Sequence, residues 1–158
     1  MLKIIGIDPG TAITGWGIIE KINFQVINCL NAGSITTQSK QPLADRIETI
    51  YDQLQSLITQ YQPHVLAVES LFFNTNAKTA LLVGQARGAV LLAGKKNNLP
   101  IFEFTPLQVK IAVTGYGRAE KTQVQQMVKT LLKLKSVPKP DDVADALAVC
   151  LACAYSLK

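Results

Sequence analysis

The 158-residue chain has a single histidine, His64, and only three cysteines, Cys29, Cys150 and Cys153. One histidine means that a Ser-His-Asp or Cys-His centre would have to be built on His64. Nothing near that position supports one, so His64 reads as structural. An odd number of cysteines argues against a disulfide framework. Cys150-Leu151-Ala152-Cys153 has the spacing of a metal knuckle but no second pair. Both cysteines read as small apolar residues of a buried helix. No run of eighteen or more apolar residues occurs, so no transmembrane helix is expected. The N-terminus enters a strand-like run with no basic segment, apolar h-region or cleavage site. The expectation is a cytoplasmic protein with no membrane partner.

What is present is a globular composition, 48% apolar, in a chain of the length of one ordinary domain. A single domain over residues 1–158 is expected, with no internal repeat, low-complexity segment or domain boundary. The formal charge is +5, from 16 Lys and Arg against 11 Asp and Glu. If four of the acids are committed to a metal site, seven remain against the 16 bases. A surface with that bias attracts polyanions, and nucleic acid is the commonest. The plainer alternative is that a basic chain is only kept soluble by its charge.

Residues 2–8, 13–20 and 24–30 read as three strands with short turns between them, an antiparallel meander. The turns fall at Asp8-Pro9-Gly10 and near Glu20-Lys21. Gly15 and Gly17 flank Trp16 in the second strand, a sign that other backbone passes close by. Pro42 opens a helix that ends before Pro63, with apolar Leu43, Ile47, Ile50, Leu54, Leu57 and Ile58 on one face. A strand at 64–69, a helix at 75–95, a strand at 100–104 and a short helix at 106–113 follow. Helix 120–134 turns Val124, Met127, Val128, Leu131 and Leu132 to one side, and helix 141–156 ends the chain. The expected fold is α/β, a five-stranded mixed sheet flanked by helices. Its three-strand antiparallel meander is joined by two parallel strands.

Two apolar runs each end on a carboxylate, Asp8 and Glu69, and Asp141-Asp142-Val143-Ala144-Asp145 opens the last helix. Ligands in open α/β sheets lie beyond the carboxyl ends of parallel strands, which is where Asp8 and Glu69 fall if their strands are neighbours. Helical spacing puts Asp145 on one face with either Asp142 or Asp141. Asp141, directly after Pro140, is given the helix N-cap and Asp142 the metal role. Two like charges about 4 Å apart repel by roughly 4 kcal/mol at an effective dielectric near 20. Gathered acids therefore require protonation or a cation. Oxygen-only ligands suit Mg²⁺ or Mn²⁺, and a pair of such ions stabilises the attacking and leaving oxygens in phosphoryl displacement. Taken singly, each acid has a structural reading, as a strand-end polar group or a partner of a helix N-terminus.

Several segments now match a family in order along essentially the whole chain. They are Ile5-Gly6-Ile7-Asp8-Pro9-Gly10 with Thr14-Gly15-Trp16-Gly17, and Val68-Glu69 followed by Phe72. Gly84-Gln85-Ala86-Arg87-Gly88, Val109-Lys110 with Ala119-Glu120-Lys121, and Asp142-Val143-Ala144-Asp145-Ala146-Leu147-Ala148 complete the set. The chain resembles the RuvC-type Holliday junction endonucleases of the RNase H-like superfamily. The resemblance implies Asp8, Glu69, Asp142 and Asp145 as the catalytic acids, all of them metal ligands. Some members of the family carry histidine where this chain has Asp142. Two Mg²⁺ per subunit are expected, with Mn²⁺ as a substitute. Asp8 would be shared by both ions, Glu69 and Asp145 would take one each, and Asp142 would serve the ion that activates water. The resemblance also implies a homodimer that nicks opposing strands of a four-way DNA junction during recombination and repair. The ends left are 5′-phosphate and 3′-hydroxyl, and the RuvA–RuvB branch-migration complex is an implied partner.

Ala77, Ala80, Gly84 and Gly88 make a small-residue stripe, read either as packing on the chain's own sheet or, with the resemblance, as a two-fold contact. Phe72 and Phe73 follow Glu69 closely and are candidates to stack on or wedge apart bases, with Phe72 against DNA by family analogy. Lys110, Arg118 and Lys121 flank the loop at Gly115–Gly117 and are candidate phosphate contacts. Arg87 is a further candidate, either binding DNA or supporting the loop after Glu69. Rival readings are an RNase H-like nuclease acting on RNA and a non-catalytic junction-binding protein. An actin-like phosphotransferase is a third, but it needs a second domain for which this chain is too short.

Overall fold

The computed structural model describes residues 1–70 and 76–157. β1 (Leu2–Asp8), β2 (Ile13–Lys21) and β3 (Ile27–Thr36) form the expected antiparallel meander. β4 (Val65–Glu69) pairs parallel with β1, and β5 (Ile101–Phe104) pairs parallel with β4. The strand order is β3-β2-β1-β4-β5, the mixed five-stranded sheet that the sequence pattern implies. β1 is central, with partners on both sides and helices over both faces. That is why it reads as a continuous apolar run and not as an alternating one.

Alternation along β1 divides the core in two. Ile5 and Ile7 point to one face, where they meet Ile50, Leu54 and Ile58 of α1 (Leu43–Tyr61) and Ala86, Val90 and Ala93 of α2 (Ala77–Lys96). Ile4, Gly6 and Asp8 point to the other, which α5 (Asp141–Ser156) covers directly. α3 (Pro106–Thr114) and α4 (Lys121–Leu131) pack against α5 in turn. Sandwiched in this way, α5 is buried almost all round, from Ala146 through Ala154 without a break. Cys150 and Cys153 belong to that buried run, as expected, and the Cys150 thiol donates to the Gly17 carbonyl at 3.3 Å. Burial pushes the Cys153 thiol up to about 12, which disfavours a thiolate. His64 is structural too, its Nδ1 accepting from the Lys3 amide at 2.9 Å.

The seating of α5 depends on glycine. A Cβ on Gly6 would lie 2.4 Å from the Cys150 sulfur and 2.5 Å from the Ala146 carbonyl oxygen. A Cβ on Gly17 would lie 2.5 Å from the Leu147 side chain. At the far end of the helix Lys21 is buried at 8% exposure. Its Nζ donates to the carbonyls of Ala154, at 2.7 Å, and Leu157, and lies 4.7 Å from the centre of the Phe24 ring. A buried ammonium is costly unless its donors are met. Here it meets the unpaired carbonyls of a helix C-terminus, where a cation is favoured.

Three expectations shift. The third strand runs Ile27–Thr36, not 24–30: the Asn23 side chain accepts from the amides of Gln25 and Val26 and turns the chain before it, and residues 31–36 go on pairing with β2. α4 stops at Leu131, three residues early, as Lys133 takes a left-handed conformation and the Leu134 amide closes on the Lys129 carbonyl. Asp141 is not the N-cap of α5. Pro140 occupies that position, and no side chain caps the helix. Among the described residues no helix is long and apolar enough to cross a membrane.

Gly6→Ala must displace the α5 backbone at Ala146, since no rotamer relieves a clash with a carbonyl oxygen. Overpacking of this kind costs about 1–3 kcal/mol, or a fall in Tm of roughly 2–12 °C for a chain of this size. Thermal denaturation followed by circular dichroism measures it.

Candidate active site

The register that builds the sheet also gathers the acids. β1 and β4 run parallel with Ile7 opposite Val68, so Asp8 and Glu69 emerge side by side at the carboxyl ends of neighbouring strands. On the other side of β1, Asp8 lies opposite Gly15 of β2. A Cβ on Gly15 would sit 1.9 Å from the Asp142 carbonyl oxygen. The first turn of α5 therefore rests on bare backbone next to Asp8, and the glycine signal in the sequence is explained. One turn further, Asp145 faces Glu69 across a cleft of about 240 Å³ that Lys110 and Lys121 also line. The loop after Asp8 is tied back by Thr14, whose hydroxyl donates to the Gly10 carbonyl at 2.6 Å.

The electrostatics show four acids sharing one field. Burial, then the charges of Asp145, Glu69 and Asp142, push the Asp8 carboxyl from an ordinary value near 3.8 up to about 8. Burial and then Asp145 raise Glu69, against an opposing pull from Lys121 and Lys110. Asp145 is raised mainly by burial, with Lys121 pulling it down and Asp142 and Asp141 pushing it up. Partial burial works against the charge on Lys121, yet Asp145 and Asp141 hold its ammonium above the ordinary value. Lys121 Nζ lies 3.3 Å from Asp145 and 3.6 Å from Asp141. More than half of the Lys121 side chain is exposed, so these pairs are worth under about 1 kcal/mol to the fold.

Among the described residues no three His, Cys, Asp or Glu side chains already stand as a closed metal cage. The arrangement is instead an open rim of carboxylates, close enough to raise one another and short of positive charge. Its donors are oxygen alone, with no sulfur or imidazole, and that fits a hard divalent cation. A group that must bind a proton near neutral pH to relieve repulsion is one that a cation can relieve instead.

The sequence candidates separate on this frame. Asp8, Glu69, Asp142 and Asp145 come together, and Lys110 and Lys121 join them at the cleft. Arg118 is exposed in the loop before α4 and makes no ion pair among the described residues. Arg87 is mostly buried and ion-paired with Glu103, which stands opposite Val68 on β5. The loop after Glu69, which Arg87 is expected to support if it does not bind DNA, lies outside the described residues from 71 to 75. Phe72 and Phe73 lie outside the described residues. Asp141, set aside above as a cap, pairs instead with Lys139 at 3.2 Å as well as with Lys121, and so adds its charge to the rim. Its helical spacing of four from Asp145 was the available signal.

Both the sequence and the fold have counterparts among known proteins. Residues 4–153 match the family model described as crossover junction endodeoxyribonuclease RuvC. The protein of that name from Alkaliphilus oremlandii is 58% identical over 97% of this chain and 93% of its own length. The one from Caldicellulosiruptor saccharolyticus is 53% identical over 95% of this chain and 90% of its own. Thermus thermophilus RuvC in complex with a Holliday junction substrate superposes with a TM-score of 0.93 at 33% identity, covering 99% of this chain and 95% of that one. The yeast mitochondrial Holliday junction resolvase Ydc2, 14% identical with a TM-score of 0.67, shares the fold.

A carboxyl raised on folding contributes stability that is complete below its unfolded value near 4 and is lost as pH rises through about 8. The Tm of chelator-treated protein is therefore expected to fall between pH 4 and pH 8. Asp8→Asn, which removes the ionisable group, flattens that fall. It raises the Tm at pH 8 by at least about 3 °C, given roughly 2–4 °C per kcal/mol at this size. A pH scan by differential scanning fluorimetry in EDTA reads both.

Proposed function

The chain belongs to the RuvC family of crossover junction endodeoxyribonucleases, and from that premise we propose that it resolves four-way DNA junctions by nicking two opposing strands. The observation that carries the reading is the set of acids that raise one another at the ends of β1 and β4 and the start of α5. Asp8, Glu69, Asp142 and Asp145 would hold Mg²⁺ in this account, two ions per subunit, with Mn²⁺ as a substitute. When bound, Mg²⁺ supplies the positive charge that stabilises the attacking and leaving oxygens at phosphorus.

The chain's own residues do the rest. The carboxylates fix where positive charge sits, at the mouth of a cleft whose floor is apolar Val109, Val124 and Ala148. Lys121, held by Asp145 and Asp141, has a partly exposed ammonium to offer to a strand phosphate, and Lys110 stands in the same cleft. Arg118 is placed to meet DNA further out on the loop. Phe72 and Phe73, directly downstream of Glu69 in sequence, are the candidates for base stacking. Arg87, clamped to Glu103, keeps β5 and α2 together behind Glu69.

Two nicks in opposing strands call for two sites related by a two-fold axis. A groove of about 670 Å³ lies between α1 and α2, away from the four acids, and is lined by Leu43, Ile47, Tyr51, Gly88, Ala89 and Leu92. Leu81 and Leu92 on α2 are 64% and 53% exposed. Of the small-residue stripe, Gly88 opens onto this groove and Ala80 packs inward. That surface supports a homodimer built on α2, with residues 1–158 of each copy acting as one nuclease domain in the cytoplasm. The RuvA–RuvB complex is the branch-migration partner.

The test is a synthetic four-way junction incubated with and without Mg²⁺, with the nicks mapped strand by strand. Symmetric nicks in two opposing strands, ligatable and absent in EDTA, are expected. Asp8→Asn is expected to abolish them and leave junction binding intact. Binding without Mg²⁺-dependent product, or cleavage of linear RNA in preference to the junction, would overturn the reading.

A further inference from the structure

A second cleft flanks the acid cluster on the side away from Lys110 and Lys121. It measures about 340 Å³ and is bounded by the loop Gly10–Ile13, by Thr79, Leu82 and Val83 of α2, by Arg46 of α1 and by Asp142. Asp142 is thus a wall shared with the catalytic rim. Among the described residues Arg46 is the only cation lining this cleft.

The Arg46 side chain is fixed at one atom and free at the others. Its Nε donates to the Thr37 hydroxyl at 2.8 Å. That hydroxyl donates in turn to the Thr11 carbonyl at 2.6 Å, and the Thr37 amide donates to the Ala12 carbonyl at 3.0 Å. Thr11 is itself buried and donates to the Leu82 carbonyl at 2.9 Å. A continuous chain of bonds therefore ties the guanidinium to the loop that begins directly after Asp8. The two terminal nitrogens have no hydrogen bond or ion pair among the described residues, and Asp142, on the same cleft, does not pair with them. An arginine whose Nε is held leaves a planar fork of donors whose geometry matches the two free oxygens of a phosphate.

We propose that Arg46 clamps a backbone phosphate of the cleaved DNA strand, next to the scissile one and on the opposite side of the acid cluster from Lys110 and Lys121. The proposal rests on the junction-resolving function above and adds a binding residue that neither the sequence motifs nor that function called for. Its physical sense is electrostatic. Four carboxylates repel an incoming phosphodiester, and fixed cations on both sides of them hold the strand across the site. Because Arg46 is tied to the loop after Asp8, a phosphate on its fork is held in register with the reacting one.

The experiment measures junction affinity in Ca²⁺, where binding is read without cleavage, for wild type, Arg46→Gln and Arg46→Lys. Junctions carry a single neutral methylphosphonate placed in turn at each phosphate around the cleavage point. Arg46→Gln is expected to weaken binding about tenfold and to lower the slope of log affinity against log salt by about 1, the loss of one phosphate contact. One methylphosphonate position adjacent to the scissile phosphate weakens wild type and has no further effect on Arg46→Gln. Arg46→Lys keeps the charge without the fork, and is expected to restore the salt slope and only part of the affinity. If Arg46 only braces β3 against α1, Arg46→Gln lowers the Tm but keeps the wild-type salt slope and methylphosphonate profile, and the clamp is wrong. Failure of the wild type to nick the junction in Mg²⁺ rejects the proposed function separately, because the binding comparison does not depend on turnover. Failure of the wild type to bind the junction rejects both.

Discussion

The arrangement turns on one close approach, that of α5 to the bare backbone of β1 and β2. Gly6, Gly15 and Gly17 present no side chains to the helix, which fills the space with Cys150 and the Ala146 carbonyl, the Asp142 backbone and the Leu147 side chain in turn. The helix consequently rests against the sheet itself. At its N-terminal end this brings Asp142 against Gly15, the residue paired with Asp8. At its C-terminal end the buried Lys21 ammonium closes on the last carbonyls and fixes how far along the sheet the helix sits. A helix held away from the sheet by one layer of ordinary side chains would carry Asp142 and Asp145 out of range of Asp8 and Glu69.

The same approach sets up the chemistry by storing electrostatic tension. Carboxylates buried together at strand ends oppose folding at neutral pH, and Asp8 shows it most, with its ionisation displaced to about 8. The apolar core on either face of β1 supplies the stability that tolerates this, with Ile4, Ile5, Ile7, Leu66 and Leu147 fully buried. The tension has direction, because among the described residues only the Lys121 and Lys110 ammonium groups oppose it, and a proton or an added cation relieves the rest. A site of this kind binds cations where they act on an anionic substrate, so stability is traded for function at a defined place.

Much of this was legible in the amino-acid sequence because it is carried by local pattern. Apolar runs ending on Asp8 and Glu69, the helical spacing of Asp142 and Asp145, and the glycines around Trp16 are all short-range signals. The antiparallel meander and the mixed character of the sheet followed from strand spacing, while the parallel pairing of β1 with β4 was left conditional. What escaped lay partly in the detail of local turns and caps and partly in contacts between distant segments. Phe24 and Val26 looked like strand residues, but the Asn23 side chain closes a turn there and leaves both of them exposed. Asp141 looked like a cap, but Pro140 before it takes that place and frees the carboxylate to pair with Lys121 and Lys139. Arg87 gave no sign of its ion pair with Glu103, sixteen residues on, nor Lys21 of its burial beneath a helix end more than a hundred residues away.

The central claim is that these four acids form one divalent-cation site, and locating the ion tests it most directly. Crystals grown with Mn²⁺ and measured for its anomalous scattering would show where the metal binds. The account expects a peak within coordination distance of Asp8 and of at least one of Glu69, Asp142 and Asp145, with the Lys121 ammonium drawn off Asp145. A peak elsewhere, or none at Mn²⁺ concentrations that support cleavage, with Asp145 still held by Lys121, would contradict it.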